Sequence, residues 1–202
     1  MQRSLVARSA GVATPAVLGK TGPLSLSFDR VIAAQPPSLA EMLSVLQALH
    51  RMPPDGLYRF DPFLRIRPRL GAAPSHVHAL VTALEMQDAA LGWPDRTVIH
   101  GDFHPGQTLR DRSGKVWLLD LDDLALAPPE ADLGNLAAWF ATRTEGRLDV
   151  LARTALAQTL ALSSAADTAL AGHFFHVALV RRALKLAEKG QPWALDQLPL
   201  RT

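Results

Sequence analysis

A short β-rich interruption set between helices constrains this chain more than any other feature. Thr97-Val98-Ile99 is a β-branched run. Thr108-Leu109-Arg110 and Lys115-Val116-Trp117-Leu118-Leu119 then flank Asp111-Arg112-Ser113-Gly114, whose Asp and Gly favour a tight reversal. On either side the apolar residues recur at helical spacing. Leu39, Met42, Leu43, Leu46 and Leu49 share a face behind Ser38-Leu39-Ala40-Glu41. That tetrapeptide has capping-box spacing, in which a hydroxyl and a carboxylate satisfy free backbone N–H groups reciprocally. Val77, Leu80, Val81, Leu84 and Leu91 share a face in a helix that starts at Ser75 and closes at Gly92-Trp93-Pro94. After Pro128-Pro129 come Leu133, Leu136, Ala137 and Phe140, then Leu148, Leu151, Leu156 and Leu160. Leu170, Phe174, Val177, Arg181 and Leu184 predict a last helix ending near Gly190. A hairpin embedded in an otherwise helical chain predicts an α+β fold that is mostly helical.

The N-terminal segment reads differently. Leu24-Ser25-Leu26-Ser27-Phe28 alternates apolar and polar, the period of a half-buried strand, and Ala16-Val17-Leu18 precedes it across a turn at Lys20-Thr21-Gly22-Pro23. These two segments are expected to pair as a hairpin. Gln35-Pro36-Pro37 breaks the chain, so residues 1–36 are expected to form a small strand lobe and residues 37–202 a helical lobe. The chain has 202 residues and no Cys, which excludes a disulfide scaffold, a thiolate zinc site and a cysteine nucleophile. That composition is compatible with a reducing cytoplasm, where the chain is expected to work. The net charge of +2 is too small for a polyelectrolyte partner, and the basic run Arg181, Arg182, Lys185 and Lys189 reads as a solvated helix face. No nucleic-acid partner is expected. No membrane partner is expected either, because the least charged stretch, Thr154 to Val180, is interrupted by Gln158, Asp167, His173 and His176.

The chemistry-bearing residues crowd into the β interruption. His100-Gly101-Asp102-Phe103-His104-Pro105-Gly106-Gln107 follows the first strand, and Leu118-Leu119-Asp120-Leu121-Asp122-Asp123 ends the hairpin. Gln107 and Asp120 sit on the two arms of one hairpin, so an amide oxygen and a carboxylate can converge there. Hard oxygen ligands of this kind suit Mg²⁺ far better than zinc. Asp102, on a separate loop, is placed to align a hydroxyl nucleophile. His100 and His104 read as braces of the loop, Asp122 and Asp123 as solvated acids, and Asp132 as a helix cap or a tie to the loop.

These residues closely resemble the aminoglycoside phosphotransferase and choline-kinase-like family. Its loop reads H-G-D-x-H-x-x-N and its metal strand I-D-F or I-D-W; here they are His100-Gly101-Asp102-Phe103-His104-Pro105-Gly106-Gln107 and Leu119-Asp120-Leu121. The family's G-D-P-x-x-D-L-A appears as Ala127-Pro128-Pro129-Glu130-Ala131-Asp132-Leu133-Gly134. Ala10-Gly11-Val12-Ala13-Thr14-Pro15-Ala16-Val17-Leu18 is similar to A-G-V-P-T-P-x-V-L, and Leu46-Gln47-Ala48-Leu49-His50 to L-A-x-L-H. The resemblance implies a protein-kinase-like C-lobe with a small catalytic hairpin and a remnant of N-lobe strands. It implies ATP as co-substrate, Mg²⁺ on Gln107 and Asp120, Asp102 as the catalytic carboxylate, and a small hydroxylated acceptor. Asp122, Asp123 and Glu130 would attract a cationic acceptor.

Two departures qualify this. Gln107 stands where the family has Asn, one methylene longer. Ahead of Ala10-Gly11-Val12 there is neither a Gly-rich loop nor a strand lysine, and Lys20 lies after that segment. The resemblance therefore implies an N-terminally truncated member with weak phosphoryl transfer and a strand edge prone to self-association. The alternative is an inactive kinase-like remnant that binds a ligand or partner. A third reading, a metal-dependent hydrolase, rests on His100, Asp102 and His104 at period two, but the downstream His ligands that such sites need do not follow Gly134-Asn135-Leu136.

Overall fold

The hairpin forms where the sequence places it, with Thr108 opposite Leu118, Leu109 opposite Trp117 and Arg110 opposite Val116. The computed structural model describes residues 7–22, 25–93, 97–143, 148–161 and 167–198. The strands are β1 (Val17–Gly22), β2 (Ser25–Phe28), β3 (Ala33–Gln35), β4 (Thr97–Ile99), β5 (Thr108–Asp111), β6 (Val116–Leu118) and β7 (Ala125–Ala127). The helices are α1 (Leu39–His50), α2 (Ser75–Leu91), α3 (Glu130–Ala141), α4 (Leu148–Ala161), α5 (Thr168–Glu188) and α6 (Trp193–Asp196). This is the expected α+β mixture of helices and small sheets. The described residues fall into two compact units, each built from two stretches of chain: residues up to 58 with 97–126, and residues 59–96 with 127–202. No helix among the described residues is long and apolar enough to cross a membrane.

In the first unit, β1 and β2 pair antiparallel with Val17 opposite Phe28, as expected, with register shifts after Val17 and after Lys20. The expected turn at Lys20-Thr21-Gly22-Pro23 is not found at Lys20–Gly22, because β1 continues through Gly22, and Pro23 and Leu24 lie outside the described residues. A second sheet has the order β3-β5-β6, and β4 pairs with β7. Strands β3 and β7 are only three residues each and carry no alternation for the sequence to show. Helix α1 packs against β4 and β6 through Met42, Leu43, Leu46 and Leu49, all buried. Its N-terminus carries the capping box in full: the Glu41 N–H donates to Ser38 Oγ, and the Ser38 N–H donates to Glu41 Oε2 at 2.8 Å. The segment before β1 joins the sheet through the Leu118 N–H, which donates to the Ala13 carbonyl at 2.7 Å.

The reversal between β5 and β6 is built on one carboxylate. Asp111 Oδ1 accepts from the Ser113 N–H, the Ser113 hydroxyl and the Lys115 N–H, and Oδ2 accepts from Trp117 Nε1 at 2.7 Å. Lys115 Nζ lies 4.1 Å over the Trp117 ring. Hydrogen bonds from the Ser113 hydroxyl and the Trp117 indole hold the Asp111 carboxyl down at about 2.

The second unit is helical. Its core joins Phe63 and Ile66 of the segment before α2, Val77 and Leu84 of α2, and Leu179 and Val180 of α5. Segment 57–74, read from sequence as irregular, contains a 3-10 turn at Arg67–Ala72. Helices α3 and α5 meet at Gly134, where a Cβ would stand 2.5 Å from the Phe175 nitrogen, so only glycine allows this approach. Asp167 caps α5 by accepting from the N–H groups of Ala169 and Leu170. Deeper inside, His173 Nε2 and Trp93 Nε1 both donate to Asp88 Oδ1 at 2.9 Å. Burial alone would raise the Asp88 carboxyl, but the bonds from His173 and Trp93, with the charges of His173 and Arg59, outweigh it and lower it.

Because the Asp111 pKa is lower folded than unfolded, its contribution is intact above about pH 4 and is lost as pH falls through about 2. Trp117 fluorescence is expected to report loosening of the hairpin across that window, and Asp111→Asn to remove the transition. A transition of unchanged size in Asp111→Asn would refute the assignment.

Candidate active site

Asp102, Gln107 and Asp120 all lie in the first unit, on the β4–β5 loop and at the end of β6. Gly101 opens the loop at φ +81, a conformation that suits glycine, and a Cβ there would stand 2.5 Å from the Asp123 carbonyl oxygen. Glycine thus lets the loop approach the 3-10 turn Leu121–Asp123 that follows Asp120. The same positive φ breaks the period-two arrangement on which the hydrolase reading rests. Among the described residues no group of three or more His, Cys, Asp or Glu side chains is placed to hold a metal.

His100 is fully buried, and both ring nitrogens are committed to backbone. Nε2 faces the Leu119 carbonyl at 2.9 Å, and Nδ1 faces the Asp102 N–H at 3.4 Å. A carbonyl only accepts and an amide N–H only donates, so the proton sits on Nε2 and Nδ1 accepts. One imidazole therefore connects the backbone at Asp102 to the residue preceding Asp120. Phe103, also fully buried, meets the His100 ring edge-on with centroids 5.8 Å apart. His104 braces the far end of the loop: its Nδ1 accepts from the Gly106 N–H at 3.0 Å and caps the 3-10 turn Pro105–Gln107. The expected bracing role of both histidines is what the geometry shows.

The hairpin sets the remaining pair. The Leu119 N–H donates to the Gln107 carbonyl at 2.8 Å, extending the β5–β6 ladder by one step. The Gln107 and Asp120 side chains then meet, with Nε2 donating to Oδ2 at 3.1 Å. Two oxygens on adjacent corners of a Mg²⁺ octahedron, each about 2.1 Å from the ion, lie about 3 Å apart. Turning the Gln107 carboxamide over places its oxygen at that separation from the Asp120 oxygen. One carboxylate plus one amide oxygen, completed by phosphates and water, is the donor set Mg²⁺ commonly uses, so the residues fit this ion. Asp120 is also the sole non-glycine with positive φ among the described residues, at φ 54. Its carboxylate is solvent-exposed. Asp102 is half-buried and Asp122 is exposed.

Four residues of the second unit, Glu130, Asp132, Arg181 and Arg182, depart from expectation. Glu130 does not present its carboxylate for a cationic acceptor: it is buried at 4% exposure, and Oε1 accepts from the Asp167 N–H at 2.8 Å. Arg181 and Arg182 are not fully solvated: both are half-buried, and each directs Nη2 to Asn135 Oδ1, at 2.6 and 3.4 Å. Asp132 is fully buried in the first turn of α3, whose N-cap is Pro129, so it is not the cap. Sequence reading also missed Arg110, whose Nε lies 3.2 Å from Glu41 Oε1. No local signal links two residues so far apart in the chain.

Comparison with known proteins bears on the family and the fold. The model of the phosphotransferase enzyme family matches residues 26–170, more than two thirds of the chain. A choline/ethanolamine kinase family protein from Mesorhizobium loti has a similar structure, with TM-score 0.64 and 18% identity over 99% of this chain and 79% of its own. The aminoglycoside phosphotransferase APH(3'')-Id of Streptomyces rimosus, solved with ADP and streptomycin, gives 0.60 and 19% over 89% and 80%. Choline kinase LicA of Streptococcus pneumoniae gives 0.66 and 16% over 92% and 69%. No curated protein sequence matches the chain.

Replacing His100 by Phe keeps an aromatic ring but leaves the Leu119 carbonyl without its buried donor. His100→Phe is expected to cost about 2 kcal/mol, measured by urea unfolding with m unchanged. A loss below about 0.5 kcal/mol would show that the brace carries little.

Proposed function

The chain belongs to the phosphotransferase enzyme family, and from that premise we propose that it transfers the terminal phosphoryl group of ATP to a hydroxyl of a small molecule. The observation that carries this reading is the meeting of Gln107 and Asp120 at 3.1 Å beside a loop whose Asp102 is tied to the same backbone by His100. Gln107 and Asp120 would hold Mg²⁺, which when bound neutralises charge on the β- and γ-phosphates. Asp102 orients the acceptor hydroxyl and takes its proton as the acceptor oxygen bonds to phosphorus and ADP leaves. Asp122, exposed beside the metal pair, adds negative charge where a cationic acceptor would be favoured. The ADP and streptomycin held by the Streptomyces rimosus neighbour support a nucleotide and a hydroxylated small molecule as ligands. The exposed Leu18 and Phe28 side chains on the β1–β2 hairpin, 65% and 47% accessible, support self-association at that edge.

The two aspartates separate the roles. Asp102→Asn is expected to lower turnover by about a hundredfold or more while leaving Mg-ATP affinity within about twofold. Asp120→Asn is expected to weaken Mg-ATP binding as well as rate, and Gln107→Asn to preserve or raise activity. Titration calorimetry with Mg-ATP and a product assay check all three. Unchanged Mg-ATP affinity in Asp120→Asn would overturn the assignment. Mg-ATP binding without turnover by the unaltered chain would assign it the non-catalytic role.

A further inference from the structure

Arg110 is held at two points by one short stretch of chain. Its backbone pairs with Gln35 of β3, and its guanidinium Nε lies 3.2 Å from Glu41 Oε1 at the start of α1. Between these points run Pro36 and Pro37, whose fixed φ stiffens the connection. Glu41 divides its carboxylate between two tasks. Oε2 accepts from the Ser38 N–H and hydroxyl at 2.8 Å, and Oε1 faces Arg110. The Arg110 Nε is shut off from solvent, and Glu41 is aligned off the N–H axis, so the contact is an ion pair rather than a hydrogen bond. The rest of the guanidinium lies along the hairpin turn, 3.6 Å from where a Gly114 Cβ would stand. Strand β5, which carries Arg110, begins immediately after Gln107 and pairs with β6, which leads to Asp120.

We propose that Glu41 and Arg110 form a latch that fixes the metal-carrying hairpin to helix α1 and to the β3 linker, which makes both of them positioning residues for Gln107 and Asp120. The inference rests on the phosphotransferase reading for its functional consequence, while its structural content stands on the first unit alone. Without the ion pair, the hairpin keeps its backbone ladder but loses its one charged attachment to α1 among the described residues. The junction between Gln107 and Leu119, one step beyond the ladder, is where the added freedom appears.

Glu41→Gln isolates the effect, because glutamine also serves in a capping box while the charge facing Arg110 is lost. Native-state amide exchange by NMR on the full chain reads the outcome. The Leu119 N–H, bonded to the Gln107 carbonyl, is expected to exchange about fivefold faster in Glu41→Gln. Amides in the first turn of α1 should be unchanged. Arg110→Gln should give the same acceleration, and the double variant no more than either single one. Mg-ATP affinity should fall by a similar factor in each variant, with the affinity for ATP without metal unchanged. An unchanged Leu119 amide in Glu41→Gln, equal acceleration throughout α1, or additive effects in the double variant would each overturn the latch. Failure of the unaltered chain to bind Mg-ATP, with the exchange pattern as expected, would instead overturn the functional reading and leave the latch standing.

Discussion

The imidazole of His100 holds together two backbone segments that reach the site from different directions. One is the loop entering Asp102 from β4, and the other is the end of β6 entering Asp120. The ring offers a donor on one side and an acceptor on the other, and its burial shields both bonds from bulk water. A neutral imidazole with its proton on Nε2 meets both demands. A charged one would point an N–H at the Asp102 N–H. The spacing of the Asp102 backbone from that of Asp120 therefore depends on this ring.

Around this brace the sequence accepts local cost. Asp120 adopts a left-handed backbone that costs an ordinary residue about 1 kcal/mol, and Gly101 is needed where a Cβ would strike the Asp123 carbonyl. The return is that the hairpin, the loop and the 3-10 turn converge. The second unit handles its buried polar groups in a similar way. His173 and Trp93 donate to Asp88, and the Glu130 carboxylate accepts from the Asp167 N–H, so carboxylates that would be costly to bury alone are hydrogen-bonded.

Much of this was legible in the sequence because it is local. The helices announce themselves by apolar spacing, α1 by its capping box, and the β5–β6 reversal by Asp111 and Gly114. Gln107 and Asp120 could be paired because a hairpin fixes which residues face each other. What could not be read is what depends on distant contacts. Strands β3 and β7 are too short for a period, and their partners lie far along the chain. Glu130 looked like a surface acid until its helix was seen to bury it, and Arg181 and Arg182 looked like a solvated face until Asn135 drew them inward. The αL backbone of Asp120 has no sequence signal, since aspartate is common in ordinary conformations as well. His100 was recognisable as a brace from its place beside Asp102, but the atoms it joins were not.

The protonation and partners of the His100 ring are directly observable. A long-range ¹⁵N–¹H correlation spectrum of the full chain near neutral pH resolves whether each imidazole nitrogen carries a proton. His100 is predicted to show a protonated Nε2 and an unprotonated Nδ1, with a hydrogen-bond coupling from the Asp102 amide to Nδ1. A His100 ring protonated on Nδ1, or exchanging rapidly between tautomers, would contradict the brace and with it the fixed relation between Asp102 and Asp120.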